Sequence, residues 1–359
     1  MTPLARKLLS RIEAQGPLTV ADYMGDCLLH PQYGYYATRD PFGAAGDFIT
    51  APEISQMFGE MLGLCLAQSW LDQGAPEAFI LAELGPGRGT LMADALRAAR
   101  IVPGFTQAAQ LHLVEASAHL RGLQADALQG YAPTWHDQIE HLPEGMPLFA
   151  VANEFFDALP IRQFQRAKQG WHERMITNDG GTLAMALAPA APPPMPALRA
   201  READTDAGEL IEICTPALQI TQTLARRIAT DGGAALIIDY GDWRLRGDTW
   251  QAMAGHAHVD PLASPGEADL TAHVDFAALA EAATDAGAQA SAMVTQGRLL
   301  ETLGITARAQ TLAQKLTGDP LTAHIAAHRR LTHPQEMGNL FKALALTPQG
   351  APSPVGFEQ

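Results

Sequence analysis

The run F-I-L-A-E-L-G-P-G-R-G-T-L at residues 79–91 leaves few folds open to this chain. Its first four residues, Phe79 to Ala82, are apolar without interruption, the pattern of a strand buried on both faces. The strand ends at Glu83 and breaks into Gly85, Gly87 and Gly89. Beyond them Leu91, Met92, Ala95, Leu96 and Ala99 recur on one helical face, with Asp94, Arg97 and Arg100 off it. Strand, glycine turn and helix, in that order, open a nucleotide-binding α/β domain. Glycine lets the backbone take left-handed angles and lets a ligand approach with no Cβ in the way.

The turn matches neither common phosphate loop. The dinucleotide fingerprint needs a third glycine where Thr90 stands, and no lysine follows the glycines as a P-loop requires. What remains is an acid followed by G-P-G-R-G. An acid there suits a cationic ligand end and suits a pyrophosphate poorly, because like charges repel. S-adenosylmethionine, with its amino-acid end and sulfonium, meets that requirement. The expected cradle is Glu83, Gly85, Pro86, Gly87, Gly89 and Thr90. Taken alone, the cluster reads nearly as well as an ordinary strand-to-helix loop capped by Glu83. A second acid shifts the balance. Residues 111–114 (L-H-L-V) read as the next strand, with Glu115 at its end, where a carboxylate accepts both ribose hydroxyls. A third strand, 134–136, leads into Asp137 and Gln138, a pair for the adenine edge; for Asp137 an exposed loop acid is the stronger reading.

Further along, residues 148–153 (L-F-A-V-A-N) form a buried fourth strand that runs into E-F-F-D-A-L-P. Open α/β sheets bind ligands at the carboxyl ends of their strands. Asn153, Glu154 and Asp157 therefore stand where chemistry is expected, since burying such groups is costly without partners. Residues 235–238 read as a fifth strand that delivers Asp239 and Tyr240 to the same edge. Helices are expected at 4–14, at 20–29 with Thr19 as N-cap, and from Ile54 to Leu66. Later ones are expected at 218–228, at 276–286 behind Asp275, and over 299–316. The alternation from Gln163 to Thr177, closed by N-D-G-G, reads as an antiparallel hairpin. Residues 244–262 read as a long loop, 289–295 as a sixth strand and 339–346 as the last. The Gly/Pro-rich segment that stops at Pro52, carrying Asp47 and Thr50 and followed at once by Glu53, reads from its residues as an Ω-loop over the sheet edge.

Composition narrows the class. A formal net charge of −15 argues against a nonspecific nucleic-acid binder and suits a basic protein partner. With 47% hydrophobic and 18% charged residues, the chain can bury a full core. Cys27, Cys65 and Cys214 lie far apart, so a reducing compartment is expected, with no disulfide framework and no zinc site. His256, His258 and Asp260 lack a ligand spacing and read as loop residues. No run is long enough to span a membrane. The basic amphipathic start contains Glu13, which argues against a transit peptide.

Several stretches together resemble the MidA family of S-adenosylmethionine-dependent methyltransferases, which includes the mitochondrial assembly factor for respiratory complex I. They are Y-G-Y-Y at 33–36, G-D-F-I-T-A-P-E-I-S-Q-M-F-G-E at 46–60, E-L-G-P-G-R-G-T-L at 83–91 and A-N-E-F-F-D-A-L-P at 152–160. D-Y-G at 239–241, G-D-T at 247–249 and T-A-H-V-D-F at 271–276 match as well. The resemblance covers nearly the whole chain. It implies an α/β fold: a class I, Rossmann-like methyltransferase sheet with an N-terminal helical cover and an inserted antiparallel β subdomain. The expected divisions are 1–54, cover and lid; 55–160, first half of the sheet; 161–216, insert; and 217–359, second half. The lid reading of Asp47, Thr50 and Glu53, with Asp239 and Tyr240 facing substrate, follows from the resemblance.

The activity implied is methylation of arginine on a protein acceptor, a complex I subunit or its bacterial counterpart. The implied location is the cytoplasm in a bacterium and the matrix in a mitochondrion. Glu154 is assigned as the carboxylate that holds the guanidinium, Asp157 as second acceptor and Asn153 as orienter. Base methylation in a related fold uses [DN]-P-P-[YF], and Asn153 is followed here by Glu-Phe-Phe. The rivals kept are a small-molecule or RNA methyltransferase and a cofactor-binding assembly chaperone without turnover. A nicotinamide oxidoreductase is disfavoured by Thr90.

Overall fold

A computed structural model describes residues 1–38 and 50–358. These residues fold as two units, each with its own core. One takes in the described residues of Ile49–Phe156, Gln219–Trp243 and Leu279–Gln359. Its sheet strands are β1 (Phe79–Leu84), β2 (Ala109–Val114), β3 (Thr134–His136), β4 (Leu148–Asn153), β5 (Gly233–Asp242), β6 (Ala288–Ala290) and β7 (Phe341–Pro348). In space they run β6-β7-β5-β4-β1-β2-β3. The five from β3 to β5 are parallel. β7 lies antiparallel to β5, and β6 antiparallel to β7. This is the doubly wound sheet expected of a class I methyltransferase. Every residue of β1 and β4 is buried, which is why both strands read as unbroken apolar runs. Chain order reverses between β1 and β4, and it is at the carboxyl ends of the strands beside such a reversal that open α/β sheets bind ligands.

Helix α1 (Gln56–Asp72), capped by Ser55 Oγ on the Met57 N–H at 3.2 Å, lies against α2 (Thr90–Ala99), which begins at the glycine turn. The two meet through Gly59 and Gly63, one helical turn apart. A Cβ at Gly63 would sit 2.5 Å from Ala95 Cα and 2.6 Å from its carbonyl oxygen. Backbone cannot yield there as a side chain would. Gly63→Ala is expected to destabilise the protein by about 1–3 kcal/mol, read as a lowered midpoint in urea at unchanged slope.

The second unit takes in the described residues of Met1–Phe48, Asp157–Leu218 and Arg244–Ala278. Its first helix, Pro3–Gln15, buries Leu4, Leu8 and Ile12. Helix Val20–Leu29 starts at a capping box, in which Thr19 Oγ1 accepts from the Asp22 N–H while Asp22 accepts from the Thr19 N–H. Leu18 and Thr19 pair antiparallel with Ile176 and Met175 of strand Trp171–Asp179. The N-terminal helices and the later hairpin thus share one core with Ile161, Ile176 and Leu270. The expected N-D-G-G hairpin joins Trp171–Asp179 to Thr182–Leu187, with positive φ at Gly180 and Gly181.

Three expectations about regular structure are corrected. Residues 244–262 are not loop throughout: Gln251–Ala254 pairs with Ala257–Val259 and with Asp269–Thr271. The hairpin turns on Gly255 and His256, both at positive φ, the geometry a two-residue turn requires. Its strands are too short and polar to show a period. The strand expected at 289–295 is two pieces on β7, Ala288–Ala290 and Val294–Thr295, parted where the Ser291 hydroxyl takes the Ala345 N–H. The helix expected over 299–316 breaks at Gly304, φ +92°, into Gln296–Thr302 and Ile305–Ala313. Among the described residues no helix is long and apolar enough to cross a membrane.

Candidate active site

Glu83, at the end of β1, is 3% exposed. The Met92 N–H, in the first turn of α2, donates to its carboxylate. Among the described residues its Oε2 has no hydrogen-bond partner. Burial pushes this carboxyl up to about 8, against the pull of the Met92 bond. Glu83 therefore caps the following helix with one oxygen and keeps the other buried without a hydrogen-bond partner among the described residues. On the neighbouring strand, Asn153 is buried as well. Its Nδ2 donates to Glu154 Oε1 at 3.0 Å, and its Oδ1 has no partner among the described residues. Register sets Leu84 beside Ala152, so Asn153 follows level with the glycine turn.

Two buried acceptors without donors, one of them acidic, fit the ammonium end of S-adenosylmethionine. The turn between them is tightly packed. Gly85 has φ +63°, and a Cβ there would fall 2.7 Å from the Phe155 ring. Its N–H is held by the Val114 carbonyl, and the Gly89 N–H by Pro86. Thr90 Oγ1 donates to Glu53 Oε1 at 2.5 Å, so Glu53 is tied to the first residue of α2.

At the end of β2, Glu115 takes the Ser117 N–H on Oε1 at 2.7 Å and Gln124 Nε2 on Oε2 at 3.3 Å. Burial raises its carboxyl, opposed by the Ser117 and Gln124 bonds and by Arg121. Past β3, Asp137 and Gln138 are exposed, and Asp137 pairs with Arg121 at 2.5 Å. Glu83, Glu115 and the glycines thus stand on adjacent strand ends, while Asp137 is a solvated ion pair.

Glu154 follows β4 at φ +51°, a left-handed angle that costs a residue with a side chain about 1–2 kcal/mol. Its N–H is held by the Ile238 carbonyl. Its Oε1 accepts from the Ala51 N–H at 2.9 Å as well as from Asn153. Thr50 precedes that short helix, Ala51–Ile54, without a side-chain cap bond. Asp239 is fully buried and receives the Phe156 and Tyr240 N–H groups at 3.0 and 2.9 Å, so its carboxylate shapes the turn after β4. Tyr240 is half-buried and sets its ring edge-on to Phe341, centroids 5.6 Å apart. Asp157 belongs to the other unit. There it is buried, its carbonyl accepts from the Ala272 N–H, and its charge acts on Tyr36. Tyr36 donates to Asp269 at 2.9 Å; burial, then Asp269 and Asp157, hold its hydroxyl well above the usual range. Asp47 lies outside the described residues.

A family model described as "Putative S-adenosyl-L-methionine-dependent methyltransferase" matches residues 61–294. The chain belongs to this family. S-adenosylmethionine is the methyl donor that defines it, in keeping with the two orphaned acceptors. The methyltransferase is 39% identical to the mouse protein arginine methyltransferase NDUFAF7, mitochondrial, over 97% of its own length and 85% of that protein. The human protein of that name is 37% identical, over 97% and 84%. Among solved structures, a methyltransferase-like protein from Burkholderia thailandensis bound to S-adenosyl-homocysteine superposes with a TM-score of 0.84. It is 30% identical, with 98% of this chain and 93% of that one covered.

Sequence reasoning overlooked Gln124. The residue is fully buried on helix Ala118–Ala127, four positions after the buried Leu120. A lone amide on the apolar face of a covering helix was the available signal.

Proposed function

We propose that the enzyme methylates arginine on a protein acceptor, a subunit of respiratory complex I or its bacterial counterpart. The end of β4 carries the reading. Asn153 and Glu154 are joined there by a hydrogen bond, with Glu154 held at φ +51°. Strained backbone that presents a carboxylate at a strand tip is a mark of function. The relatives' name, protein arginine methyltransferase, supports the acceptor class. Their mitochondrial label supports the matrix as the place of action in a eukaryote, with the cytoplasm as its bacterial equivalent.

Bound S-adenosylmethionine supplies a methyl group made electrophilic by its sulfonium. Glu83 and the Gly85–Gly89 turn hold its amino-acid end, and Glu115 its ribose. Arginine stays protonated in proteins, so the site must aim one nitrogen and concentrate electron density on it. Glu154 does both by accepting two hydrogen bonds from the guanidinium. Asn153 orients Glu154 through its Nδ2. No strong base is required, because the proton is lost after transfer.

The test is incubation with methyl-labelled S-adenosylmethionine and purified complex I subunits, followed by mass spectrometry of arginine. Methylarginine in one subunit is the expected result. Cofactor binding with no transfer to any subunit would turn the reading toward an assembly chaperone. Label in RNA or a small molecule would replace the acceptor class.

A further inference from the structure

Gln124 is fully buried on α3 (Ala118–Ala127), and both ends of its amide are engaged. Nε2 donates to the Gly87 carbonyl at 2.8 Å and to Glu115 Oε2 at 3.3 Å. Oε1 accepts from Trp135 Nε1 of β3 at 2.8 Å. One side chain thus joins the turn after β1, the acid after β2 and the strand that leads to Asp137. The fit is close: a Cβ at Gly89 would lie 3.3 Å from Gln124 Cα. Helix α3 rests almost directly on the glycine turn.

We infer that Gln124 is a positioning residue for the cofactor, aiming Glu115 at the ribose and fixing the curve of the Gly85–Gly89 turn. It rests on the reading of Glu115 as the ribose carboxylate. A carboxylate that must accept from two neighbouring hydroxyls needs a set rotation. The Ser117 N–H on Oε1 and Gln124 on Oε2 supply two fixed points for it. Gln124 reaches the ligand only through these partners. The same amide carries the Gly87 carbonyl, so the ribose acid and the turn cannot drift apart. Removing it leaves the Gly87 carbonyl and the Trp135 N–H without these partners and lets Glu115 turn.

The experiment compares Gln124→Glu and Gln124→Met with the unaltered enzyme. Glu keeps the shape and the acceptor for Trp135 but sets a carboxylate against Glu115. Met keeps the length and removes both donors. S-adenosyl-homocysteine binding is read by calorimetry, and kcat and KM for S-adenosylmethionine by label transfer. Both variants are expected to bind about 10- to 100-fold more weakly, the scale of losing a hydrogen bond to a charged group, with kcat at saturation within about threefold. In a Glu115→Gln background, Gln124→Met is expected to cost clearly less than in the unaltered enzyme, the remainder being its hold on the Gly87 carbonyl, because coupled residues do not add. Full additivity would overturn the inference, as would wild-type affinity in both variants. Should the Met variant melt below assay temperature, the isosteric Glu variant carries the comparison. If the unaltered protein fails to bind S-adenosyl-homocysteine, it is the cofactor assignment that falls.

Discussion

Glu154→Gln is expected to cut turnover by about a thousandfold, the scale of losing a charged group that acts mainly in the transition state. S-adenosyl-homocysteine should still bind within a few fold of the unaltered enzyme. The substitution is conservative in shape. A glutamine oxygen can keep accepting from the Ala51 N–H and from Asn153 Nδ2, now 2.9 and 3.0 Å from Glu154 Oε1. What disappears is the negative charge, and with it the strong hydrogen bonds to a guanidinium. Glu154→Ala would be less informative, since it also strips the start of helix Ala51–Ile54 of its acceptor. Turnover measured on arginine-containing acceptor, beside calorimetry of the cofactor product, separates the two effects. Unchanged turnover would remove Glu154 from the mechanism; a matching loss of cofactor affinity would move it into the cofactor site.

Glu83→Gln is expected to act in opposite directions on binding and on stability. Cofactor affinity should fall about a hundredfold, because a buried charge partner of the ammonium is lost. Stability without cofactor should rise at alkaline pH. The carboxyl is raised to about 8 by burial, whereas in the unfolded chain it titrates near the ordinary value of 4.5. Between those values the unfolded chain gives up the proton while the folded protein keeps it. Stability therefore declines as pH rises through that window and levels off above it, by a few kcal/mol in all. The glutamine variant lacks this decline. Urea midpoints from pH 5 to 9, with and without S-adenosyl-homocysteine, check both halves. Parallel pH profiles for the two proteins would mean that Glu83 is not the buried acid responsible.

Much of the parallel half of the sheet was legible because its signals are local. The apolar runs of β1 and β4 end where burial ends, and the glycines at 85, 87 and 89 stand at the positive φ angles their turn demands. Glu83 and Glu115 could be singled out because each stands where an apolar run ends beside the glycine turn. Asp239 was legible as a strand-end acid; that it also receives the Phe156 and Tyr240 N–H groups was not, because those bonds join residues brought together by the sheet. The hairpin at 251–259 was missed because four and three residues are too few to display a period.

By itself the sequence determined the parallel strands of the sheet, the glycine turn, and the acids at the ends of β1 and β2. Each depends on residues within about one turn or one strand of each other, where propensity and sterics act directly. Only the tertiary structure decided that Leu18 and Thr19 join strand Trp171–Asp179, or that Gln124 spans Gly87, Glu115 and Trp135. It alone left one oxygen of Glu83 and one of Asn153 without partners among the described residues. Pairings across such sequence separations arise from packing and burial, which weigh all elements at once and leave no local period to read.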